Sequence, residues 1–424
     1  MTGGNNIEKY LFELIQVAIG NRRTLSSVPT QQEWQRMYGL MSKHTLIGIG
    51  YVAIQNLPRE QWPPKMLVLQ WTSVANGIRN KNMALNEECK SICKDFTHDG
   101  VESVVIKGQS NLEYYPETLR DYRTPGDIDL WCQARNGVEI GEMVNGEVVK
   151  SEFHGIAGVI EYCKQYERNR GRNIPWHRVL YYHCELKSDN GIAIEPHYRI
   201  SYLHSPIRNH RLQKWFNNQF DVCLKNKCQL VFPVLTSSVN VVYQLVHLYR
   251  LIFENGIGLR QLMDYYFALR VWHNDVMECK DLQTQGMWSE GLGTAVMSAQ
   301  EVMSVLRSFG MGKFVSAIMF VLFEVFAMPT QLSIKDERLM INDCPWLLCE
   351  PNEKEGRKLL AEIMQGGNFG QYDTRNAALK KGGMVKHGVW KLKLVRRLVR
   401  SYPEEALWEP VFRVWHLGWR MIHG

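Results

Sequence analysis

The stretch VVIKGQSNLEYYPETLRDYRTPGDIDLW, Val104 to Trp131, decides how the chain is read. Its start, Val104-Val105-Ile106, is a short apolar strand that ends in Lys107-Gly108. Its end carries Asp127-Ile128-Asp129-Leu130. Successive strand side chains face opposite ways, so Asp127 and Asp129 share one face while Ile128 and Leu130 share the other. Two adjacent carboxylates at the end of a buried strand repel each other and lose hydration. A divalent cation held together with substrate phosphates is the usual remedy. The alternative is a solvated strand face, and the surroundings argue against it. A glycine after Lys107 lets backbone N–H groups approach an anion, and Arg123-Thr-Pro-Gly126 leads into the first aspartate. Anion-binding and metal-binding groups thus converge from two strands, which points to phosphoryl or nucleotidyl transfer.

Ile106-Lys107-Gly108, Tyr115-Pro116, Arg123 and Gly126-Asp127-Ile128-Asp129-Leu130 together resemble an uncharacterised nucleotidyltransferase family of the DNA-polymerase-β-type superfamily. The wider superfamily commonly has Gly-Gly or Gly-Ser at the glycine turn. Here Gln109 separates Gly108 from Ser110. The resemblance implies an NTP substrate, Mg²⁺ or Mn²⁺ at Asp127 and Asp129, and triphosphate contacts from Lys107, Gly108, Ser110 and Arg123.

The totals agree without demanding this. The chain has 424 residues, 45% of them hydrophobic, so it can bury a large core; on a prior of roughly 150 residues per domain it holds two or three. Lys+Arg 50 against Asp+Glu 43 gives +7, an excess compatible with polyphosphate partners. Ten cysteines occur with no Cys-x-x-Cys pair, and Cys89/Cys93 and Cys344/Cys349 have no companions of zinc-site spacing. Free thiols and a cytoplasmic location are expected. The first residues, MTGGNNIEKYLFELIQ, do not resemble a signal peptide. The most apolar run, Phe314 to Met328, contains Glu324 and falls short of the roughly 20 residues of a spanning helix. A buried helix is expected there, and no integral membrane segment.

Three segments follow in order. Residues 1–96 read as helical, from the spacing of Ile7, Tyr10, Leu11, Leu14 and Ile15 and of Trp34, Met37, Leu40 and Met41. A long helix should run from about Lys65 to Phe96. Residues 97–235 form the mixed α/β core. Within it, 133–150 read as a loop or ill-defined hairpin, and Glu152 to about Arg170 as a helix. Strands at Arg178–Leu186 and Ile192–Ile200 should flank a turn at Ser188-Asp-Asn-Gly191. Glu195, in the second of these, is the expected third carboxylate, either holding metal or taking a proton. The alternative is an edge-strand glutamate beside Pro196, which cannot donate to a ladder. His197 reads first as a satisfied strand histidine, with orienting Glu195 or contacting substrate as the alternatives.

Residues 236–424 return to helix. A stripe of Val241, Leu245, Leu248 and Ile252 leaves His247 and Arg250 to one side. Gly258-Leu-Arg260 and Asp264 resemble a second family signature; Arg260 and Asp264, four residues apart, form either a helix-surface salt bridge or a phosphate contact in which Asp264 steadies Arg260, with His247 and Arg250 as weaker candidates for the same wall. Gly366-Gly-Asn-Phe-Gly370 is also reminiscent of the family. Lys380, Lys381, Lys386, His387, Lys391, Lys393, Arg396, Arg397 and Arg400 suggest an amphipathic helix with a basic outer face.

The expected fold is α+β, a small mixed polymerase-β-like sheet flanked by helical regions. The expected activity is metal-dependent transfer of a nucleoside monophosphate to an acceptor that could be a small molecule, a protein or RNA. A nucleotide-binding module without turnover, and an interaction protein working through the basic helix, stay open as alternatives.

Overall fold

The computed structural model of the chain describes residues 3–144, 147–284, 296–327, 347–374 and 384–423. Helices α1 (Gly3–Ala18), α2 (Gln31–Lys43), α3 (Ile47–Asn56) and α4 (Lys65–His98) come first. Strand β1 (Glu102–Val105), helix α5 (Glu117–Arg120) and strands β2 (Ile128–Gln133), β3 (Val138–Val144) and β4 (Glu147–Phe153) follow. Then come α6 (Gly155–Arg168), β5 (Leu186–Lys187), β6 (Ala193–His197), α7 (Pro206–Asn217), α8 (Phe220–Lys225), α9 (Ser237–Glu254) and α10 (Leu259–Thr284). The last are α11 (Ala299–Ser308), α12 (Gly312–Phe326), α13 (Glu353–Gly366), α14 (Met384–Leu398) and α15 (Pro403–His423). The fold is α+β, with one small mixed sheet among many helices.

Two compact units emerge, neither of them continuous in sequence. One comprises Met1–Asn82, Tyr114–Thr124 and Gln244–Ser401; the other Met83–Glu113, Pro125–Tyr243 and Tyr402–Gly424.

The second unit holds the sheet, ordered β1-β2-β6-β5. β2 runs antiparallel to β1 and parallel to β6, with Asp129 opposite Glu195. Ile128, Leu130 and Cys132 on one face of β2 join Val105, Ile194, Phe96 and, from α6, Val159, Ile160 and Cys163 in one apolar cluster. Burying such side chains, each worth about 1.5–3 kcal/mol, fixes which face of β2 points inward. Asp129 and Trp131 must then take the opposite face. There Trp131 packs edge-on against Phe220, with ring centroids 4.8 Å apart. Val138–Val144 pairs antiparallel with Glu147–Phe153, β3 with β4. Of the two readings of 133–150, a loop or an ill-defined hairpin, the hairpin is the one observed, with a more regular ladder than its polar composition suggested. The other hairpin forms at Ser188–Gly191, but its first arm is regular only at β5. Trp176–Arg178 make a 3₁₀ turn, and Val179–Glu185 contribute isolated bridges instead of a strand.

The first unit is helical. α12 is buried through Phe314, Val315, Ile318, Val321, Leu322 and Phe326, as its apolar run predicts. Among the described residues no helix is long and apolar enough to cross a membrane. The glycine motifs here serve close packing. Gly370 adopts φ +59°, and a Cβ on it would collide with the carbonyl of Asn255; Gln261 donates to Asn368 at 2.9 Å. The basic helix α14 differs from expectation at one position. Lys391 is buried, its ammonium donating to the carbonyls of Phe253 (3.2 Å) and Glu254 (2.6 Å). It thereby caps the C-terminus of α9, where unpaired carbonyls favour a cation. Lys380 and Lys381 lie outside the described residues.

Candidate functional site

Asp127, Asp129 and Glu195 come together in the sheet-bearing unit, offering three ligand oxygens within 4.8 Å of one another. Two local features place them. The β2 alternation puts both aspartates on the face turned from the apolar cluster, and the parallel β2–β6 register sets Glu195 beside Asp129. Pro196 breaks no ladder needed here, since its carbonyl still accepts from the Cys184 N–H at 3.1 Å. Glu195 thus stands inside the sheet and not at its edge.

Lys107, at the end of β1, sends its ammonium to Asp129 Oδ1 at 2.8 Å. Burial alone would lower the Lys107 pKa, but Asp129, then Asp127 and Glu195, hold it well above the ordinary value. His197 Nε2 lies 3.0 Å from the same Asp129 oxygen and 3.5 Å from Glu195 Oε2. For Glu195 burial would raise the carboxyl. The His197 hydrogen bond and the Lys107 charge outweigh it and hold Glu195 below the ordinary carboxylate range. His197 therefore contacts both Asp129 and Glu195, as the reading of it as a residue orienting Glu195 requires.

Gly108 begins the turn after Lys107 at φ +65°, and a Cβ there would lie 3.1 Å from the Asp127 carbonyl oxygen. Both the left-handed backbone and the close approach favour glycine. Gln109 turns its amide to Asn86 Oδ1 at 2.5 Å, and Ser110 is buried in the same 3₁₀ turn.

The structure meets a further test of fit for a cation. Asp129 is wholly buried, and its Oδ2 has no hydrogen-bond partner. An orphaned, desolvated carboxylate oxygen is costly unless something binds it. Three carboxylates against one ammonium leave the cluster, imidazoles aside, with an excess of two negative charges. That donor set suits a hard divalent ion such as Mg²⁺.

His183 was not anticipated. It is buried, pairs across an antiparallel bridge with His197, and places Nε2 3.8 Å from Glu195 Oε2. The signal was present in the hairpin. A register that sets Leu186 opposite Ile194 also sets His183 opposite His197.

Arg123 and Arg260 belong to the helical unit. Arg123 is buried and bidentate to Asp264, Nε–Oδ1 at 2.6 Å and Nη2–Oδ2 at 2.7 Å, while the Tyr115 hydroxyl donates to the same Oδ1 at 2.6 Å. Sequence spacing gave Asp264 to Arg260 on its own helix; its carboxylate instead grips Arg123, from a distant part of the chain. A planar fork matching both oxygens displaces an i,i+4 contact worth only about 0.2–0.5 kcal/mol. Arg260 Nη1 donates to the Thr124 carbonyl at 2.8 Å. His247 and Arg250 are buried on α9.

The cysteines match their expectation. Every cysteine among the described residues is a free thiol, and burial pushes Cys93 up to about 12.

No curated protein and no solved structure matches the chain. A family model described as "Uncharacterised nucleotidyltransferase" matches residues 30–296. That span takes in both acid-bearing strands, the Lys107-Gly108 turn and the Arg260–Asp264 segment, and covers more than half of the chain, which therefore belongs to this nucleotidyltransferase family.

Proposed function

We propose that the chain transfers a nucleoside monophosphate from an NTP to an acceptor hydroxyl or phosphate and releases pyrophosphate. The supporting observation is the meeting of Asp127, Asp129 and Glu195, with Oδ2 of the buried Asp129 left without a hydrogen-bond partner. These three residues would hold one or two Mg²⁺ (or Mn²⁺) ions. Bound there, the metal would neutralise triphosphate charge and lower the pKa of the acceptor group.

The chain's own groups divide the remaining work. Gly108 offers its backbone to the phosphates without a side chain in the way, with Ser110 beside it. Lys107 carries the positive charge nearest the acids and offsets charge developing on the leaving pyrophosphate. Glu195, held below the ordinary carboxylate range, is a weak base at neutral pH, so the reading makes it a ligand and not the proton acceptor. His197 keeps Glu195 and Asp129 in register. The charge of Arg123 is already matched by Asp264, so the weight of phosphate binding falls on Lys107.

The test is a screen of NTPs with Mg²⁺ or Mn²⁺ for pyrophosphate release against sugar, small-molecule, protein and RNA acceptors. The Asp127→Asn/Asp129→Asn double variant should lose about 10³-fold or more, the loss of several kcal/mol of transition-state stabilisation. Equal pyrophosphate release by both proteins would refute the assignment. Saturable NTP binding without release would favour the binding-module alternative, for which the Lys107–Asp129 pair is the relevant feature.

A further inference from the structure

The carboxylate cluster does not use all the metal-ligating groups gathered in the sheet-bearing unit. We propose that His183, His197 and Glu195 form a second divalent-cation site that prefers a zinc-class ion over Mg²⁺ and shares Glu195 with the three carboxylates. The proposal needs no transfer reaction and stands apart from the function proposed above.

Two lines of geometry carry it. His183, Glu195 and His197 offer ligand atoms that lie within 4.8 Å of one another. Glu195 Oε2 is 3.5 Å from His197 Nε2 and 3.8 Å from His183 Nε2. A tetrahedral ion with bonds of about 2.0–2.2 Å keeps its ligands roughly 3.3–3.6 Å apart, so small adjustments close the set.

The imidazoles are also fixed before any ion arrives. His183 and His197 sit opposite each other in an antiparallel bridge, their rings 4.9 Å apart and inclined by 33°. Tyr182 packs on both, with ring centroids at 4.1 and 5.4 Å. Both histidines are about 2% exposed or less, so water does not compete for the ligand atoms.

Two nitrogens and one oxygen make a borderline donor set. Imidazole suits zinc and its neighbours, whereas all-oxygen sites suit Mg²⁺, so the histidines turn selectivity towards the former.

The experiment uses the full chain and Co²⁺ alone, a spectroscopically visible zinc-class probe, with no nucleotide present. X-ray absorption of the bound cobalt should show two imidazole nitrogens, a result that requires no variant to fold. His183→Ala, checked by circular dichroism, should weaken cobalt binding roughly tenfold or more and remove one imidazole. Asp127→Asn should cost clearly less cobalt affinity than His183→Ala and leave both imidazoles in the cobalt sphere, because Asp127 belongs only to the carboxylate cluster. An all-oxygen cobalt sphere, undiminished binding in His183→Ala, or an equal loss in Asp127→Asn would each overturn the proposal. Imidazole-bound cobalt in a protein that releases no pyrophosphate would sink the transferase reading alone. Mg²⁺-dependent transfer with an all-oxygen cobalt sphere would sink this one alone.

Discussion

Two buried ionic assemblies, one in each unit, use similar residues in opposite ways. Around Asp264 both carboxylate oxygens are taken, by the Arg123 fork and the Tyr115 hydroxyl. Around Asp129 one oxygen is shared by Lys107 and His197, and the other has no partner at all. A satisfied network repays the desolvation of its charges and holds an architecture rigid. An incomplete one costs stability, and such a cost at the end of a sheet strand marks a place kept for a ligand. Burying charge therefore does not by itself identify a site, and neither does one unpartnered atom, since Arg123 Nη1 is also without a partner; an open carboxylate oxygen beside two further acids does.

The contrast predicts that equivalent substitutions behave unequally. Burial would raise the Asp264 carboxyl, yet Arg123 holds it below its ordinary range. Asp264→Asn leaves a buried guanidinium uncompensated and should cost about 3–5 kcal/mol in chemical denaturation. Asp127→Asn relieves like-charge crowding and should change stability by less than about 1 kcal/mol. Comparable losses in the two variants would break the distinction.

A middle-sized effect sharpens it. If Lys107 fills in for a cation on Asp129, Lys107→Met should tighten Mg²⁺ binding about tenfold, one pKa unit's worth of interaction, while weakening NTP binding. Calorimetry with each ligand separately checks the split. Weaker Mg²⁺ binding would mean that the ammonium organises the acids instead of competing for them.

The smallest effect concerns a third assembly, nearer the surface. Glu355 receives Lys358 at 2.9 Å and Ser401 at 2.8 Å, with Lys313 at 3.4 Å. Burial would raise its carboxyl, but these partners lower it to about 2 from 4.5. A depressed folded-state pKa gives stability that is complete above 4.5 and lost as pH falls towards 2. Glu355→Gln should flatten that part of the acid-denaturation curve, by about 1 kcal/mol once solvent screening is allowed for. An unchanged acid limb would show that these partners contribute nothing there.

What the sequence disclosed was local. The apolar strand into Lys107-Gly108, the alternation of Asp127 and Asp129, and α4 from Lys65 follow from period and turn chemistry within a few residues. Glu195 was reachable because its strand follows an Asp-Asn-Gly turn and so has a predictable register. The choice of Arg123 over Arg260 by Asp264 was not, since it joins residues 141 apart in sequence. The inward turn of Lys391 onto α9 escaped for the same reason. A lysine in a basic run carries no mark of the carbonyls it will meet. The β3–β4 hairpin was obscured by polar residues, because a strand's ladder is backbone chemistry and need not show in its side chains.

The segment carrying His183 is secured from the far end of the chain. His416 of α15 accepts the Tyr181 N–H at 2.9 Å, and Phe412, Trp415 and Trp419 surround the Tyr181 ring. Synthesis proceeds from the N-terminus, so the carboxylates can assemble while α15 is still inside the ribosome. Removing residues 403–424 should therefore release the backbone and ring of Tyr181, two residues before His183, while the β2–β6 pairing that sets Glu195 beside Asp129 stays as it is.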